Sequence, residues 1–122
     1  MEIKKICQEF SVCQVEDYSF VNLDSEYSFI GKTDEEKSLV CITSEVPLNV
    51  TRRDDGWKAF RIQGALDFSL IGILSKISSI LANNGISIFA VSTYNTDYIF
   101  IIKENYQKAI KTLINAGYEI IE

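Results

Sequence analysis

Residues 66–97, LDFSLIGILSKISSILANNGISIFAVSTYNTD, decide the fold. Asp67 and Ser69 are good N-cap types set just ahead of an apolar run. Leu70, Ile73, Leu74, Ile77, Ile80 and Leu81 recur at i, i+3, i+4, i+7, which makes one helical stripe, with Ser75, Lys76, Ser78 and Ser79 facing outward. Asn83-Asn84-Gly85 ends that helix, Gly85 suiting the left-handed turn that follows a C-terminus. Residues 86–93 are branched, aromatic and apolar on both faces, so they read as an inner strand. Tyr94-Asn95-Thr96-Asp97 is a turn by composition, and residues 98–103 form a second strand. The loop into the helix and the turn between the strands are expected to face each other across a small-molecule site.

Working outward, residues 57–63, WKAFRIQ, read as a strand ahead of the helix. Residues 105–116 read as a second helix, with Tyr106, Ala109, Ile110, Leu113 and Ile114 on one stripe, Asn105 as N-cap and Gly117 at the C-terminal end. Residues 118–121, YEII, close as a strand. The order β-α-β-β-α-β is the split βαβ, ferredoxin-like arrangement, which predicts a four-stranded antiparallel sheet with both helices on one face. Upstream, one strand is expected near residues 10–15, a loop over 16–24, and a hairpin formed by EYSFI (26–30) and SLVCIT (38–43). Ser44-Glu45-Val46-Pro47 then leaves the strand. Residues 49–56 are polar, charged and end in Asp-Gly, which reads as a linker.

The totals narrow the function classes. A chain of 122 residues is one small domain or two half-size modules sharing a core. No apolar run approaches the roughly 20 residues of a membrane span, and MEIKKICQEF has charges through its apolar positions and no secretory h-region. A cytoplasmic protein with no membrane partner is expected. The net charge of −5 argues against nucleic acid, which needs a basic footprint. Arg52-Arg53, the one local basic pair, is followed at once by Asp54-Asp55. Cys7, Cys13 and Cys41 are odd in number and widely spaced, which fits buried small hydrophobes and neither a disulfide framework nor a zinc site. There is no histidine, which removes Ser-His and Cys-His nucleophile pairs and histidine-based metal sites. No cofactor or metal is expected.

The remaining chemistry lies at the two loops. Gly72 falls in the first turn of the expected helix, where glycine costs about 1 kcal/mol relative to alanine. Its reason is either close approach of a ligand or tight packing of the helix on a strand. The N–H groups of Ser69, Leu70 and Ile71 lie near a helix N-terminus, which attracts carboxylates. Asp97 stands at the mouth of an otherwise apolar strand, as a partner for an ammonium or guanidinium group or as a turn cap. Ser92 and Thr93 either add hydroxyl contacts or satisfy the backbone at the strand end. Asp67 and Asp97 form a conceivable acid/base pair, but no nucleophile or metal accompanies them.

GALDFSLIGIL (64–74) and ISIFAVSTYNTDY (86–98) resemble the ACT domain family, and most closely its small bacterial tandem-ACT branch, related to the eukaryotic cytosolic arginine sensors. Ser44–Pro47, SEVP, resembles that family's N-terminal half. The resemblance implies an α+β, ferredoxin-like ACT domain over residues 57–122 and a mostly β, degenerate ACT-like half with linker over residues 1–56. It implies a stand-alone, non-catalytic regulatory module that binds an amino acid between paired ACT units. Phe68, Ser69, Leu70, Ile71 and Gly72 match the junction where ACT domains hold the ligand backbone. Asp97 matches an aspartate that helps hold the cationic ligand in the arginine-sensing relatives. An acidic loop–helix residue of those relatives is Leu70 here. The expected partner is a second copy or another protein, through ACT–ACT pairing. The alternative is a structural interaction module without ligand binding.

Overall fold

The computed structural model describes residues 1–63 and 72–122. It contains, in chain order, β1 (Glu2–Val15), β2 (Ser28–Lys32), β3 (Lys37–Ile42), β4 (Val50–Ile62), α1 (Ile73–Asn83), β5 (Phe89–Ser92), β6 (Asp97–Ile102), α2 (Lys103–Asn115) and β7 (Glu119–Ile121). The chain divides into two compact units, Met1–Cys7 with Lys58–Glu122, and Gln8–Trp57. β1 and β4 contribute residues to both.

The first unit is the α+β, ferredoxin-like one. The order β4-α1-β5-β6-α2-β7 follows the expected βαββαβ. Its sheet runs β7-β1-β4-β6-β5, with β5 and β6 antiparallel from Phe89 opposite Phe100 to Ser92 opposite Asp97. The periodic residues of α1 do what their spacing requires: Ile77 and Leu81 are fully buried, and Ile73, Leu74 and Ile80 pack at the edge of the same cluster. In α2, Tyr106, Ala109, Ile110 and Leu113 are buried against Ile99 and Ile101 of β6 and Phe60 and Ile62 of β4. Ile114 was expected on that stripe and is half exposed. It lies 100° past Leu113 around the helix, at the stripe's edge.

Three expectations need correction in this unit: the sheet's make-up, the place of β5, and the cap of α2. β5 was expected to be an inner strand and lies at the edge of the sheet, beside β6 alone among the described strands. The sheet has five strands in place of four. Residues 2–4 of β1 lie between β4 and β7, so the closing strand pairs in parallel with β1, Glu2 opposite Glu119 and Lys4 opposite Ile121. Ile3 places its side chain in the helix-side core, and the charges around it mask the alternation. Asn105 does not cap α2. β6 passes straight into the helix, whose N-cap is Ile102, and no side chain caps it. The expected helix start at Asp67 or Ser69, and Leu70 on its stripe, lie outside the described residues. Gly85 and Gly117 do follow their helices with positive φ.

The second unit orders its strands β2-β3-β1-β4. The expected hairpin is β2 and β3, with Lys32 opposite Lys37. Its turn is closed by the Thr33 N–H donating to Glu36 O, while Thr33 Oγ1 accepts the N–H groups of Glu35 and Glu36. The core holds Cys13, Val15, Leu39 and Cys41, with Tyr18, Val21, Val46 and Val50 against it. Residues 50–56 are strand, where a linker was expected. Their polar composition reflects solvent, since residues 51–55 are all exposed, and it still makes contacts. Thr51 Oγ1 donates to Gln14 O, and Arg53 pairs with Asp55 at 3.1 Å. Ser11, fully buried, donates to Asp55 Oδ1 and hydrogen-bonds Thr43 Oγ1. The Ser11 hydroxyl, and then Arg53, hold the Asp55 carboxyl below the usual range. Gly56, read as a turn signal, sits within the strand at φ +87, a conformation glycine adopts without penalty.

One polar contact is buried inside the first unit. The Tyr106 hydroxyl donates to Ala59 O at 2.7 Å, and burial pushes the phenol up to about 12. Since this lies above the unfolded value near 10, the stabilisation is intact below pH 10 and lost as pH rises through about 12. Tyr106→Phe should cost about 1–2 kcal/mol at neutral pH by removing this buried hydrogen bond. It should also flatten the stability loss across that alkaline window. Urea titrations over a pH series measure both.

Candidate functional site

Two segments were expected to meet: the loop–helix junction and the end of the β5–β6 hairpin. Phe68, Ser69, Leu70 and Ile71, together with Asp67, lie outside the described residues. Gly72 is described, and its role differs from the expected one. It precedes α1 as its N-cap, at φ 77 and ψ 11, and is not part of the first turn. No described atom lies within 4 Å of a Cβ built on it. Conformation explains this glycine, since the left-handed region is costly for other residues.

A glycine cap supplies no side-chain acceptor of its own. The Lys76 N–H bonds Gly72 O at 2.8 Å, and no described side chain caps the first turn. The N–H groups of Ile73, Leu74 and Ser75 therefore form the positive end of the helix dipole. Beside this turn an open cavity of about 270 Å³ is lined by Ile73, Lys76, Ala116, Gly117, Tyr118 and Met1. Lys76 was read only as an outward-facing residue, and no sequence spacing connects it to residues forty positions away.

The hairpin end is built from four side chains. Ser92 and Asp97 stand opposite each other, and Ser92 Oγ donates to Asp97 Oδ1 at 2.5 Å. Thr93 donates both its N–H and its hydroxyl to Thr96 O, at 2.8 and 2.9 Å, which closes the turn at Tyr94-Asn95. Thr96 is buried, and its hydroxyl donates to Ile62 O at 2.8 Å. That carbonyl belongs to the last residue of β4. Thr96 thus fastens the turn to the point where the chain leaves for α1. The sequence reading missed it, because a threonine between turn residues carries no sign of burial.

Strand alternation settles which way Asp97 points. Ile99 and Ile101 pack with the helices, so Asp97 and Ser92 share their face, while Tyr98 takes the other. Arg61 lies with Tyr98: its Nη1 donates to the Tyr98 hydroxyl at 3.3 Å, and its Nε donates to Gln63 Oε1. This cation is consequently turned away from Asp97. Among the described residues no Lys or Arg pairs with Asp97. A half-buried carboxylate with one hydroxyl donor and a helix N-terminus that no described side chain caps therefore occupy the same end and the same face of the unit. Together they present an acceptor for a cation and donors for an anion. No group of three or more Cys, Asp or Glu residues suited to a metal occurs among the described residues. No described helix is long and apolar enough to cross a membrane.

A family model described as the ACT domain matches residues 52–115, just over half of the chain. Among solved structures, the chain is similar to a protein from Agobacterium tumefaciens at 29% identity and TM-score 0.86, over 98% of this chain and 91% of that one. It is also similar to a Vibrio cholerae protein described as of unknown function and a possible transport protein, at 19% identity and TM-score 0.71, over 93% and 88% of the two chains. The ligand-free regulatory subunit of aspartate kinase from Thermus thermophilus matches at 9% identity and TM-score 0.64, over 96% and 98%. The last two likenesses concern the fold. No curated protein matches the chain in sequence.

Two substitutions test the frame of the site. Gly72→Ala should destabilise by about 1–2 kcal/mol because of its positive φ, and Gly72→Asn by less. Thr96→Val should cost about 1–3 kcal/mol by removing the buried hydrogen bond to Ile62 O. Chemical denaturation measures each, and no loss in either variant would refute the conformation assigned to that residue.

Proposed function

The chain belongs to the ACT domain family, and on that premise we propose that it is a non-catalytic regulatory module that binds an amino acid at the N-terminus of α1. The observation that carries the reading is the carboxylate of Asp97, bonded by Ser92 and without a described cation, at the same end of the unit as a helix N-terminus that no described side chain caps. A zwitterion matches this pair. Its carboxylate accepts from the first-turn N–H groups, as anions do at helix N-termini, and its ammonium or a cationic side chain meets Asp97. Gly72, Ser92 and Thr93 shape the same end, and Phe68, Ser69, Leu70 and Ile71 would complete it from the preceding loop.

In this reading the ligand lies between paired ACT units, and binding biases their pairing. Residues 1–56 and 57–122 serve as two ACT-like halves, the second holding the site, and the partner is a second copy or another protein. The fold-level likeness to a regulatory subunit of aspartate kinase supports a regulatory role. The resemblance to the arginine-sensing branch makes basic amino acids the first to test, with Leu70 in place of an acidic contact favouring a smaller or less cationic ligand.

A thermal-shift screen against the twenty amino acids at millimolar concentration tests the proposal. A ligand at 100 times its Kd adds about 2.7 kcal/mol, a shift of several degrees for a chain of this size. Asp97→Ala should abolish that shift while the unliganded Tm stays within a few degrees. A flat panel would favour an interaction module without a ligand, and an unchanged response in Asp97→Ala would remove that residue from the site.

A further inference from the structure

The loop between β1 and β2 is ordered around side chains that it keeps in water. Asp17 Oδ1 accepts the Ser19 N–H and hydroxyl, and Asn22 Oδ1 accepts the Asp24 N–H. Backbone bonds close two turns, from the Val21 N–H to Tyr18 O and from the Ser25 N–H to Asn22 O. Tyr18 and Val21 pack on the core of the Gln8–Trp57 unit. Phe20 and Leu23 are left outside, 58% and 71% exposed. The loop is also fastened to the segment between β3 and β4. Asn49 Nδ2 donates to Asp17 O and Asp17 Oδ1, and Asn22 Nδ2 donates to Glu45 Oε1. These bonds bring Leu48, the neighbour of Asn49 and 89% exposed, up to the loop. Large apolar side chains fixed together in water mark a contact surface.

The charge around them is one-sided. Glu16, Asp17, Asp24, Glu26 and Glu45 lie in the same two segments, and among the described residues none of them pairs with a Lys or Arg. The Gln8–Trp57 unit holds 11 acidic and 4 basic residues, a net charge of −7. The other unit, with 6 acidic and 8 basic residues, carries +2. An occupant of the loop surface must therefore be basic, with an apolar group to cover Phe20, Leu23 and Leu48. The outward face of α2 has that chemistry. Lys108, Lys111 and Ile114 follow at intervals of three residues and form one row along the helix. Both lysines are exposed and make no ion pair among the described residues, and residues 107–115 contain no Asp or Glu. Ile114 is 51% exposed at the edge of an otherwise buried stripe.

We propose that the loop surface docks α2 of a second copy of this chain. Ile114 of one copy enters among Phe20, Leu23 and Leu48 of the other, and Lys108 and Lys111 lie against Asp24 and Glu26. Joining two copies loop to loop would set −7 against −7, whereas loop against helix joins opposite charges. The contact is heterologous: each copy offers one loop and one helix, so reciprocal exchange closes a dimer and successive addition extends a chain. It uses neither Asp97 nor the N-terminus of α1, so it stands whether or not an amino acid binds.

Sedimentation velocity on the full chain, from micromolar to millimolar concentration and at low and high salt, tests the assignment with no amino acid added. The expected result is a mass that grows with concentration and an association that weakens at high salt. Two charge-reversed chains make the test specific, one with Asp24→Lys and Glu26→Lys, the other with Lys108→Glu and Lys111→Glu. Each alone should associate about tenfold more weakly than the parent, because like charges then face each other. An equimolar mixture should recover parent-like association, since every helix again finds a loop of opposite charge. Ile114→Ser should weaken association at both salt concentrations. All these positions are exposed, so circular dichroism of the variants should match the parent chain. A single-chain mass at every concentration, association indifferent to the reversals or to Ile114→Ser, or reversed chains that stay apart on mixing would each overturn the proposal. The parent chain and Ile114→Ser decide the outcome even if a reversed chain does not fold.

Discussion

The burial of β6 on both faces is the constraint on which the first unit depends. Ile99, Phe100 and Ile101 are consecutive and fully excluded from water. Ile99 and Ile101 pack into the helix-side cluster, and Phe100 stacks on Phe89 with ring centroids 4.6 Å apart. Full burial of such side chains contributes about 1.5–3 kcal/mol each. A one-residue slip of this strand would exchange its two faces and forfeit much of that. Its register is consequently fixed, and so is Asp97 at its first position. The precision of the candidate site is inherited from packing, because a carboxylate at the mouth of a strand that cannot slide has a fixed place relative to α1.

The Thr96 contact carries that order to the other half of the site. A buried hydroxyl bonded to Ile62 O ties the hairpin turn to the last residue before the crossover to α1. The backbone of the turn is meanwhile closed by Thr93. The turn residues therefore serve the scaffold, while Ser92 and Asp97 face the helices. Arg61, the nearest cation in the same strands, is engaged with Tyr98 on the opposite face. A salt bridge across the strands is thereby avoided, and Asp97 keeps acceptor positions beyond the one Ser92 fills.

Both helices were readable from spacing, since a 3.6-residue period survives any long-range arrangement, and Ile77, Leu81, Tyr106 and Leu113 are buried as their positions required. The β5–β6 and β2–β3 hairpins were readable because turn chemistry is local. The length of β1 was not. Its early residues are held by β7, more than a hundred positions away, and Glu2, Lys4 and Lys5 interrupt the alternation that would have marked them. Residues 50–56 failed for the opposite reason, because a strand exposed to water carries a loop's composition. Ser92 and Asp97 were singled out as site candidates from residue type and strand-end position, and the two hydrogen-bond each other. Thr96 and Lys76 depend on tertiary contacts that single-sequence patterns do not encode.

Gly72 shows how local stability and the proposed activity compete. A serine, threonine or aspartate at an N-cap typically contributes about 1 kcal/mol by bonding the first-turn N–H groups. This helix forgoes that contribution, because its cap has no side chain and a left-handed backbone. Packing does not explain the residue, since the space where a Cβ would project holds no described atom. What the glycine does provide is a helix end whose first-turn donors meet no acceptor from the cap residue itself. For a module that binds a carboxylate there, a built-in cap would be a competing ligand present at high effective concentration. In the proposed complex the bound carboxylate would supply an acceptor to the first turn of α1. The first turn of α1 would then be more stable with ligand than without it, which couples occupancy of the site to the order of the element that forms it.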